Sequence, residues 1–176
     1  MIVTVDELVS LPEFAGKSAK VLEMKLNAVE NLIRAYTNNN FQNRHIRFQG
    51  SSLNDRVFGH SPFLRVGDTV QISQSFVNDG LYTITEITDE FIRLDAAKLF
   101  PVDVNLVTKV EYPVDIKNGV IQLMVWEVQN RQKVGIKSET LSRHSVSYYD
   151  QDANNQVMGY PVALLGFLKP YIKPRF

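Results

Sequence analysis

Apolar residues recur every three or four positions in two long stretches of the chain, and this spacing predicts two amphipathic helices. The first stretch runs from residue 19 to about 38, and its apolar stripe is Leu22, Leu26, Val29, Ile33 and Tyr36. The second opens at Pro113, a residue suited to the first turn of a helix, and runs to Arg131. Its apolar side carries Ile116, Val120, Leu123, Met124 and Val128. We therefore expect the two helices to pack against each other through these faces.

Shorter helices are predicted near both ends of the sequence. Thr4 and Glu7 have the spacing of a capping box, which predicts a short helix at the start. Pro161 is suited to open a C-terminal helix that Pro170 and Pro174 would end or kink. The apolar stripe of that helix is Val162, Leu165, Leu168 and Tyr171.

Between about residues 41 and 110 the apolar period changes from helical spacing to two, which is typical of β-strands. The strand-like runs are "DTVQIS", "GLYTITEI", "FIRLD" and "NLVTKVEY", and the turn-like runs "FVNDG" and "TDE" separate them. The preceding "GSSLNDRVFGHSP" is predicted to be a loop. Because short strands of this kind cannot bury one face alone, they predict a small antiparallel barrel or sandwich.

These patterns predict an α+β fold, in which a small helical bundle carries an inserted β module. The bundle comprises residues 1–41 and 111–176, and the antiparallel barrel or sandwich comprises residues 42–110. An extended β arm, residues 134–150, precedes the C-terminal helix. Asn118-Gly119 is a weak point within the second long helix, unless the glycine allows another element to approach closely.

The arm "VGIKSETLSRHSVSYYD" is polar on both faces. From residue 137 to 145 its only large apolar side chain is Leu141, whereas a core strand should hide one apolar face. Such a strand can pair with another subunit or partner, where its edges gain hydrogen bonds, or it can fold back as an internal hairpin. Both interpretations remain open from the sequence.

Charge is balanced overall but segregated along the chain. The 19 basic and 19 acidic residues give a net charge of zero, which argues against binding nucleic acid through bulk electrostatics. From Gln129 onward the chain carries +4 and the remainder carries −4. This asymmetry indicates that copies could associate with each other. No cysteine is present, which excludes disulfides, thiolate nucleophiles and cysteine zinc clusters.

The residues that could support catalysis or metal binding are sparse. Ser142 and His144 could share one strand face, but no nucleophile-elbow motif accompanies them, so we expect no catalysis. His45, His60 and His144 lie in separate segments without the spacing of a metal site, so we expect neither metal nor cofactor. No glycine-rich phosphate loop is present. The N-terminus has no leader pattern, and no apolar run is long enough to cross a membrane, so we expect a soluble cytoplasmic protein.

Four segments of the chain resemble the head–tail connector proteins (head completion or adaptor proteins) of long-tailed bacteriophages and prophages. These segments are "VTVDELVSLPEF", "LEMKLNAVENLIRAYTNNNF", "YPVDIKNGVIQLMVWEVQNR" and "GYPVALLGFLKPYIKPRF". The family's motifs match a turn at residues 36–41, a helix start at residues 113–117 and a closing helix at residues 168–171. The order of these motifs is a stronger signal than any one of them. The inserted residues 42–110 depart from the simplest members, so the role of the β module does not carry over.

The resemblance implies a non-enzymatic virion protein at the head–tail interface, present in the host cytoplasm during assembly. It implies a homo-oligomeric ring, often a dodecamer, that binds the portal protein, extends the DNA channel and presents a docking surface to a neck or tail-completion protein. DNA would pass through without sequence-specific binding, and no membrane is involved. The alternative is a nucleic-acid-binding or regulatory adaptor that uses the β module. Together with the arm and the basic C-terminus, the resemblance predicts these interface residues: Lys137, Glu139, Leu141, Arg143, His144, Lys169, Tyr171, Lys173, Arg175 and Phe176.

Overall fold

The computed structural model describes residues 1–96, 98–131, 138–141, 144–147, 156–157 and 159–175. The chain divides into two compact units. One, the helical unit, combines Met1–Asn39 with Pro113–Phe176, and the other, the barrel unit, is the continuous segment Asn40–Tyr112.

The helical unit contains three α-helices in its described part: α1 (Val5–Val9), α2 (Ala19–Thr37) and α3 (Val114–Asn130). It also contains two 3₁₀ helices, Pro12–Phe14 and Val162–Tyr171. The predicted capping box of α1 is confirmed, because the Glu7 amide donates to the Thr4 hydroxyl (3.2 Å) and the Thr4 amide donates to the Glu7 carboxylate (2.7 Å). The left-handed residue Asn38 (φ 48°) ends α2 within the predicted Asn-rich turn.

The core of the helical unit follows the predicted stripes. The α2 residues Leu22, Leu26, Val29 and Ile33 are buried, as are the α3 residues Ile116, Val120, Leu123 and Met124. Gly119 lies inside α3, where a Cβ atom would collide with the ring of Phe167. The glycine therefore allows the C-terminal 3₁₀ helix to approach α3 closely.

Six strands of the barrel unit close into an antiparallel barrel in the order β1-β2-β5-β4-β3-β6. Their bounds are β1 (Gln42–Asn54), β2 (Arg56–Phe58), β3 (Thr69–Ser73), β4 (Gly80–Ile87), β5 (Phe91–Leu94) and β6 (Leu99–Val110). Closure pairs the long first and last strands with each other, so the six strands present no free sheet edge. Apolar side chains fill the interior, among them Val57, Val70, Ile72, Ile84, Ile92, Leu94, Leu99 and Val107.

Strand β1 was not predicted, and its residues explain why. Its pairing with β6 is regular up to Asn43 and resumes at Arg47, so a bulge interrupts the inward–outward alternation. Residues 50–58, predicted to be a loop, continue β1 and turn back as β2 through the left-handed Asn54 (φ 58°). The alternation of apolar and polar residues that marks a strand is therefore lost at the bulge and again at the turn, so the sequence pattern does not reveal β1.

The two ends of the barrel segment meet at its base. Gln42 pairs with Val110, and the Glu111 amide donates to the Phe41 carbonyl at 2.9 Å. The Phe41 and Tyr112 rings lie 4.9 Å apart, centroid to centroid. The segment therefore starts and ends at one place, opposite the loops that connect β1 to β2 and β3 to β4.

Two further two-stranded sheets complete the described chain. Strands β7 (Ser138–Leu141) and β8 (His144–Ser147) pair with each other as an antiparallel hairpin, with Leu141 opposite His144. Strands β9 (Gln156–Val157) and β10 (Tyr160–Pro161) form the other sheet. Of the two interpretations of the arm, the described backbone corresponds to the hairpin.

The predicted fold class, a small helical bundle with an inserted module, an extended arm and a C-terminal helix, is wrong. The protein is a mixed α/β protein in which a closed six-stranded antiparallel barrel is accompanied by a few helices. Only α2 and α3 are longer than five residues among the described α-helices, too few for a bundle. The arm residues pair locally, and the C-terminal helix, which contains Pro170, is 3₁₀ rather than α.

Candidate functional site

The C-terminal segment is tied to the end of α2 by hydrogen bonds, and this contact forms the first candidate site. The Lys173 amide donates to the Thr37 carbonyl (2.8 Å), the Asn38 side chain donates to the Pro174 carbonyl (2.8 Å), and the Asn39 side chain donates to the Tyr171 carbonyl (3.2 Å). The carbonyl groups at a helix end lack partners within the helix, and here the chain's own C-terminal segment satisfies one of them. The Asn-rich turn is thus the docking place of the C-terminal segment.

The start of α3 joins the same contact. The Tyr171 hydroxyl donates to the Asp115 carboxylate, with both oxygen atoms at 2.8 Å, and this hydrogen bond raises the pKa of Tyr171 above its ordinary value. Asp115 lies in the first turn of α3, where a negative charge is favourable. We call this arrangement of the α2 end, the α3 start and residues 168–175 the terminal cluster.

The predicted basic interface residues of the C-terminal segment lie at the terminal cluster. Lys169 and Lys173 are exposed, and Arg175 donates from its guanidinium to the Ala35 carbonyl at 2.9 Å. Tyr171 is half-buried and takes part through its hydroxyl, whereas Phe176 lies outside the described residues. The structure therefore presents several positive side chains around a segment whose backbone is held in place.

The predicted interface residues of the arm are only partly described. Glu139 and Leu141 lie on β7 and His144 lies on β8. Lys137 and Arg143 lie outside the described residues, as does the hydrolase candidate Ser142.

Arg131, at the end of α3, is the centre of a second candidate site that the sequence did not predict. Its guanidinium donates to the Glu127 carboxylate (Nε, 2.8 Å) and to the Gly159 carbonyl (3.1 Å). It also lies over the rings of Trp126 and Tyr160, at 5.3 and 5.1 Å from their centroids. The hydrogen bond to Glu127 raises the pKa of Arg131, and burial raises that of Tyr160. The one sequence signal for this site is the spacing of Glu127 and Arg131, which lie four residues apart and can form an ion pair on a helix.

Glu127 is buried and receives two positive partners. Lys25 on α2 donates to its other oxygen at 2.6 Å. Burial opposes ionisation of this carboxyl, but the hydrogen bonds from Arg131 and Lys25 outweigh it and lower the pKa of Glu127. The carboxylate is therefore held ionised between α2 and α3.

An open groove of about 290 Å³ lies beside this ion cluster, between the start of α2 and the end of α3, and we call it the α2–α3 groove. Its apolar lining comes from Val21, Leu22 and Val128. Its charged lining residues are Lys17, Lys25, Glu127 and Arg131. The charged lining is net positive, with three positive side chains and one negative one. The groove therefore suits an apolar side chain that has carboxylates beside it.

No group of three or more His, Asp or Glu side chains that could hold a metal ion occurs in the part of the chain that the structure describes. The shifted pKa values of Glu127, Arg131 and Tyr171 belong to groups that are hydrogen-bonded to a partner side chain, whereas burial is the main cause of the raised pKa of Tyr160. These shifts accompany structural hydrogen bonds and burial.

Within the same described ranges, no helix has the length and apolar character required to cross a membrane. No family model and no curated protein matches this chain.

Proposed function

We propose that this protein is a structural head–tail connector subunit of a long-tailed bacteriophage or prophage. In this proposal it forms a homo-oligomeric ring beneath the capsid portal, extends the DNA channel and presents the docking surface for a neck or tail-completion protein. It acts without catalysis and resides in the virion, after assembly in the host cytoplasm.

The terminal cluster is the observation that carries the proposal. The three motifs on which the resemblance rests lie far apart in sequence, at residues 36–41, 113–117 and 168–171. One hydrogen-bonded arrangement contains residues from all three motifs. The first motif contributes Thr37 and Asn39, the second Asp115 and the third Tyr171. Motifs that support one another in space are less easily explained by chance similarity than motifs that merely occur in order.

The hairpin of β7 and β8 gives the proposal a means of assembly. In a two-stranded sheet each strand pairs on one side only, and the described chain contributes no third strand to this sheet. An exposed strand edge can pair with a neighbouring chain through backbone hydrogen bonds. The proposal therefore assigns the hairpin to contacts between subunits or with the portal, in addition to its internal pairing.

The second candidate function, nucleic-acid binding by the barrel, has one observation in its favour. Arg56 lies over the Phe91 ring at 4.6 Å, and Phe58 packs edge-on against the same ring, as in a stacking platform. Against it, Arg93 on the neighbouring strand pairs with Asp55 at 3.1 Å and also with Glu86. Because carboxylates neutralise this face, we expect no binding. The fluorescence anisotropy of a labelled single-stranded oligonucleotide should therefore stay constant when the protein is added.

Assembly on the portal tests the leading proposal. The purified chain is mixed with portal rings encoded by the same genome, and complexes are imaged by negative-stain electron microscopy. We expect a ring of this protein on the portal. Deletion of residues 137–145 should abolish it while leaving the helical circular dichroism signal unchanged, because β7 and β8 pair with each other and with no other described strand.

A matched variant, Ser142→Ala with His144→Ala, should still assemble, because neither side chain is assigned a chemical role. A hydrolytic activity lost in that variant would refute the non-enzymatic proposal. Failure of the intact chain to join the portal would refute the connector role.

A further inference from the structure

The loop between β3 and β4, residues 74–79, presents the most exposed large apolar side chain among the described residues. Phe76 is 92% exposed, and both Phe76 (φ 64°) and Gln74 (φ 66°) adopt left-handed backbone conformations. Such conformations are uncommon outside glycine because the side chain crowds the backbone there. The fold thus holds a strained backbone to keep a phenyl ring in solvent.

Side-chain hydrogen bonds fix this loop on itself. One carboxylate oxygen of Asp79 accepts from the Ser75 amide (2.9 Å), the Ser75 hydroxyl (3.0 Å) and the Phe76 amide (3.2 Å). The Ser75 hydroxyl in turn accepts from the Asn78 amide at 2.9 Å. The position of Phe76 is therefore preorganised, which reduces the ordering cost of any contact it makes.

Asn78 fixes the loop to the barrel wall. It is buried, and its side chain donates to the Ser52 hydroxyl (3.0 Å) and the Phe100 carbonyl (2.9 Å) and accepts from the Phe100 amide (2.8 Å). Phe100, itself 61% exposed, is thus held beside the loop, and Val77 is exposed within it. Together Phe76, Val77 and Phe100 form what we call the aromatic knob.

The base of the aromatic knob is acidic. The carboxylate of Asp79 accepts a hydrogen bond from the Phe76 amide at 3.2 Å, so it places a negative charge at the foot of the loop. The Tyr82 hydroxyl donates to the Asn78 carbonyl at 3.0 Å, which places it directly beneath the loop. The knob is an apolar tip above the Asp79 carboxylate.

The α2–α3 groove has the complementary character. Apolar cavities of roughly 150 Å³ accept a benzene ring, so a groove of about 290 Å³ has room for a phenyl side chain. Its rim carries Lys17, Lys25 and Arg131, of which the last two share Glu127. An apolar tip with an acidic base therefore matches an apolar groove with a basic rim.

We propose that the aromatic knob of one copy binds in the α2–α3 groove of a second copy. The two surfaces differ, so the contact is heterologous, and repetition of a heterologous contact closes into a ring when the rotation allows. The inference deepens the proposed function and rests on it, because it names the contact by which each ring subunit meets the next.

Cysteine cross-linking tests this contact directly, because the natural chain contains no cysteine. Two single-cysteine variants with different tags, Phe76→Cys and Val21→Cys, are mixed and oxidised, and heterodimers are scored on non-reducing gels. We expect efficient formation of the mixed disulfide. The matched control is Phe63→Cys with Val21→Cys, since Phe63 is 64% exposed in another barrel loop. Equal cross-linking of both pairs, or none of either, would overturn the inference.

Self-association measured by sedimentation gives a second test. Phe76→Ala should weaken it roughly tenfold or more, as expected for an aromatic hot spot. Lys17→Glu should weaken it as well, whereas Lys20→Glu, an exposed α2 residue outside the groove, should have a smaller effect. Equal effects of the two lysine variants would contradict the assignment of the groove.

The two proposals fail differently. If the intact chain forms rings on the portal but Phe76→Cys does not cross-link specifically to Val21→Cys, the knob contact is wrong and the connector role is supported. If no ring forms on the portal but the specific cross-link appears, the contact is supported and the connector role is refuted.

Discussion

The helical unit and the barrel unit bury polar groups in different ways. In the barrel, the buried polar residues are neutral: Ser52, Ser75, Asn78, Asn105 and Thr108. In the helical unit, two carboxylates are buried: Glu127 receives Lys25 and Arg131, and Glu30 lies 3.3 Å from the N-terminal ammonium group. The pKa of Glu127 is lowered, so its contribution to stability depends on pH. A neutral buried group such as Asn78 does not titrate, so the two units differ in how their buried polar groups respond to acid.

The first prediction tests whether the two units are independent. Leu26→Ala in the helical unit and Ile92→Ala in the barrel each create a cavity in a buried core and should cost about 2 to 5 kcal/mol. Trp126, the only tryptophan, lies on α3, so its fluorescence in urea reports on the helical unit. We expect Leu26→Ala to shift that transition and Ile92→Ala to leave it in place. An equal shift from both would show that the units unfold together.

The second prediction compares the same substitution in the two units. Gly50→Ala directs a methyl group into the carbonyl oxygen of Phe58, a backbone atom in a closed barrel, and should cost about 3 kcal/mol. Gly119→Ala meets the Phe167 ring, which can move, and alanine favours helix by about 1 kcal/mol, so the net loss should be smaller. Urea denaturation followed by circular dichroism measures both. A larger loss for Gly119→Ala would mean that the ring cannot yield.

The third prediction concerns pH. Glu127→Gln should cost about 1 to 2 kcal/mol at neutral pH, allowing for its partly exposed partners. Because the folded pKa of Glu127 is lowered from 4.5, the stabilisation is full above that ordinary value and is lost as the pH falls through the folded pKa. Asn78→Ala should cost about 1 to 3 kcal/mol with no such pH dependence. Urea denaturation at a series of pH values distinguishes the two. If the difference in unfolding free energy between the natural chain and Glu127→Gln did not change with pH, the ion-cluster assignment would be contradicted.

The fourth prediction has the smallest expected effect. Thr4→Ala removes the cap of α1 and should cost about 1 kcal/mol. The Thr4 amide lowers the pKa of Glu7, so the contribution of Glu7 is present at neutral pH and is lost in acid. Thermal denaturation of Thr4→Ala and of the retained-cap variant Thr4→Ser measures it. A comparable loss in Thr4→Ser would show that the methyl group, rather than the hydroxyl, matters.

The sequence predicted those helices and caps that depend only on residues close to one another in the chain. The stripes of α2 and α3 follow from helical spacing, and the cap at Thr4 follows from one hydrogen-bonded pair. Strand β1 was missed because a bulge and a left-handed turn reset its alternation. Pro170 was expected to end or kink a helix, but not to accompany a 3₁₀ geometry.

The candidate sites depend on contacts that no local pattern encodes. The bond between Tyr171 and Asp115 joins residues 56 positions apart, and that between Lys25 and Glu127 spans 102. The turn "FVNDG" was recognised from its composition, but the exposure of Phe76 follows from the bonds that Asn78 makes to distant strands. Sequence reasoning therefore identified the motif segments and the turn, but not their meeting places.

The base of the barrel has a consequence for how this chain can be rebuilt. Since Gln42 and Val110 are direct partners on neighbouring strands, the segment that begins and ends there leaves a gap that only a few residues need to bridge. A short glycine-rich bridge from Asn39 to Pro113 is thus a natural deletion design, and other small domains with adjacent ends are natural replacements. In evolutionary terms, this geometry would let the barrel be acquired, exchanged or lost as a cassette.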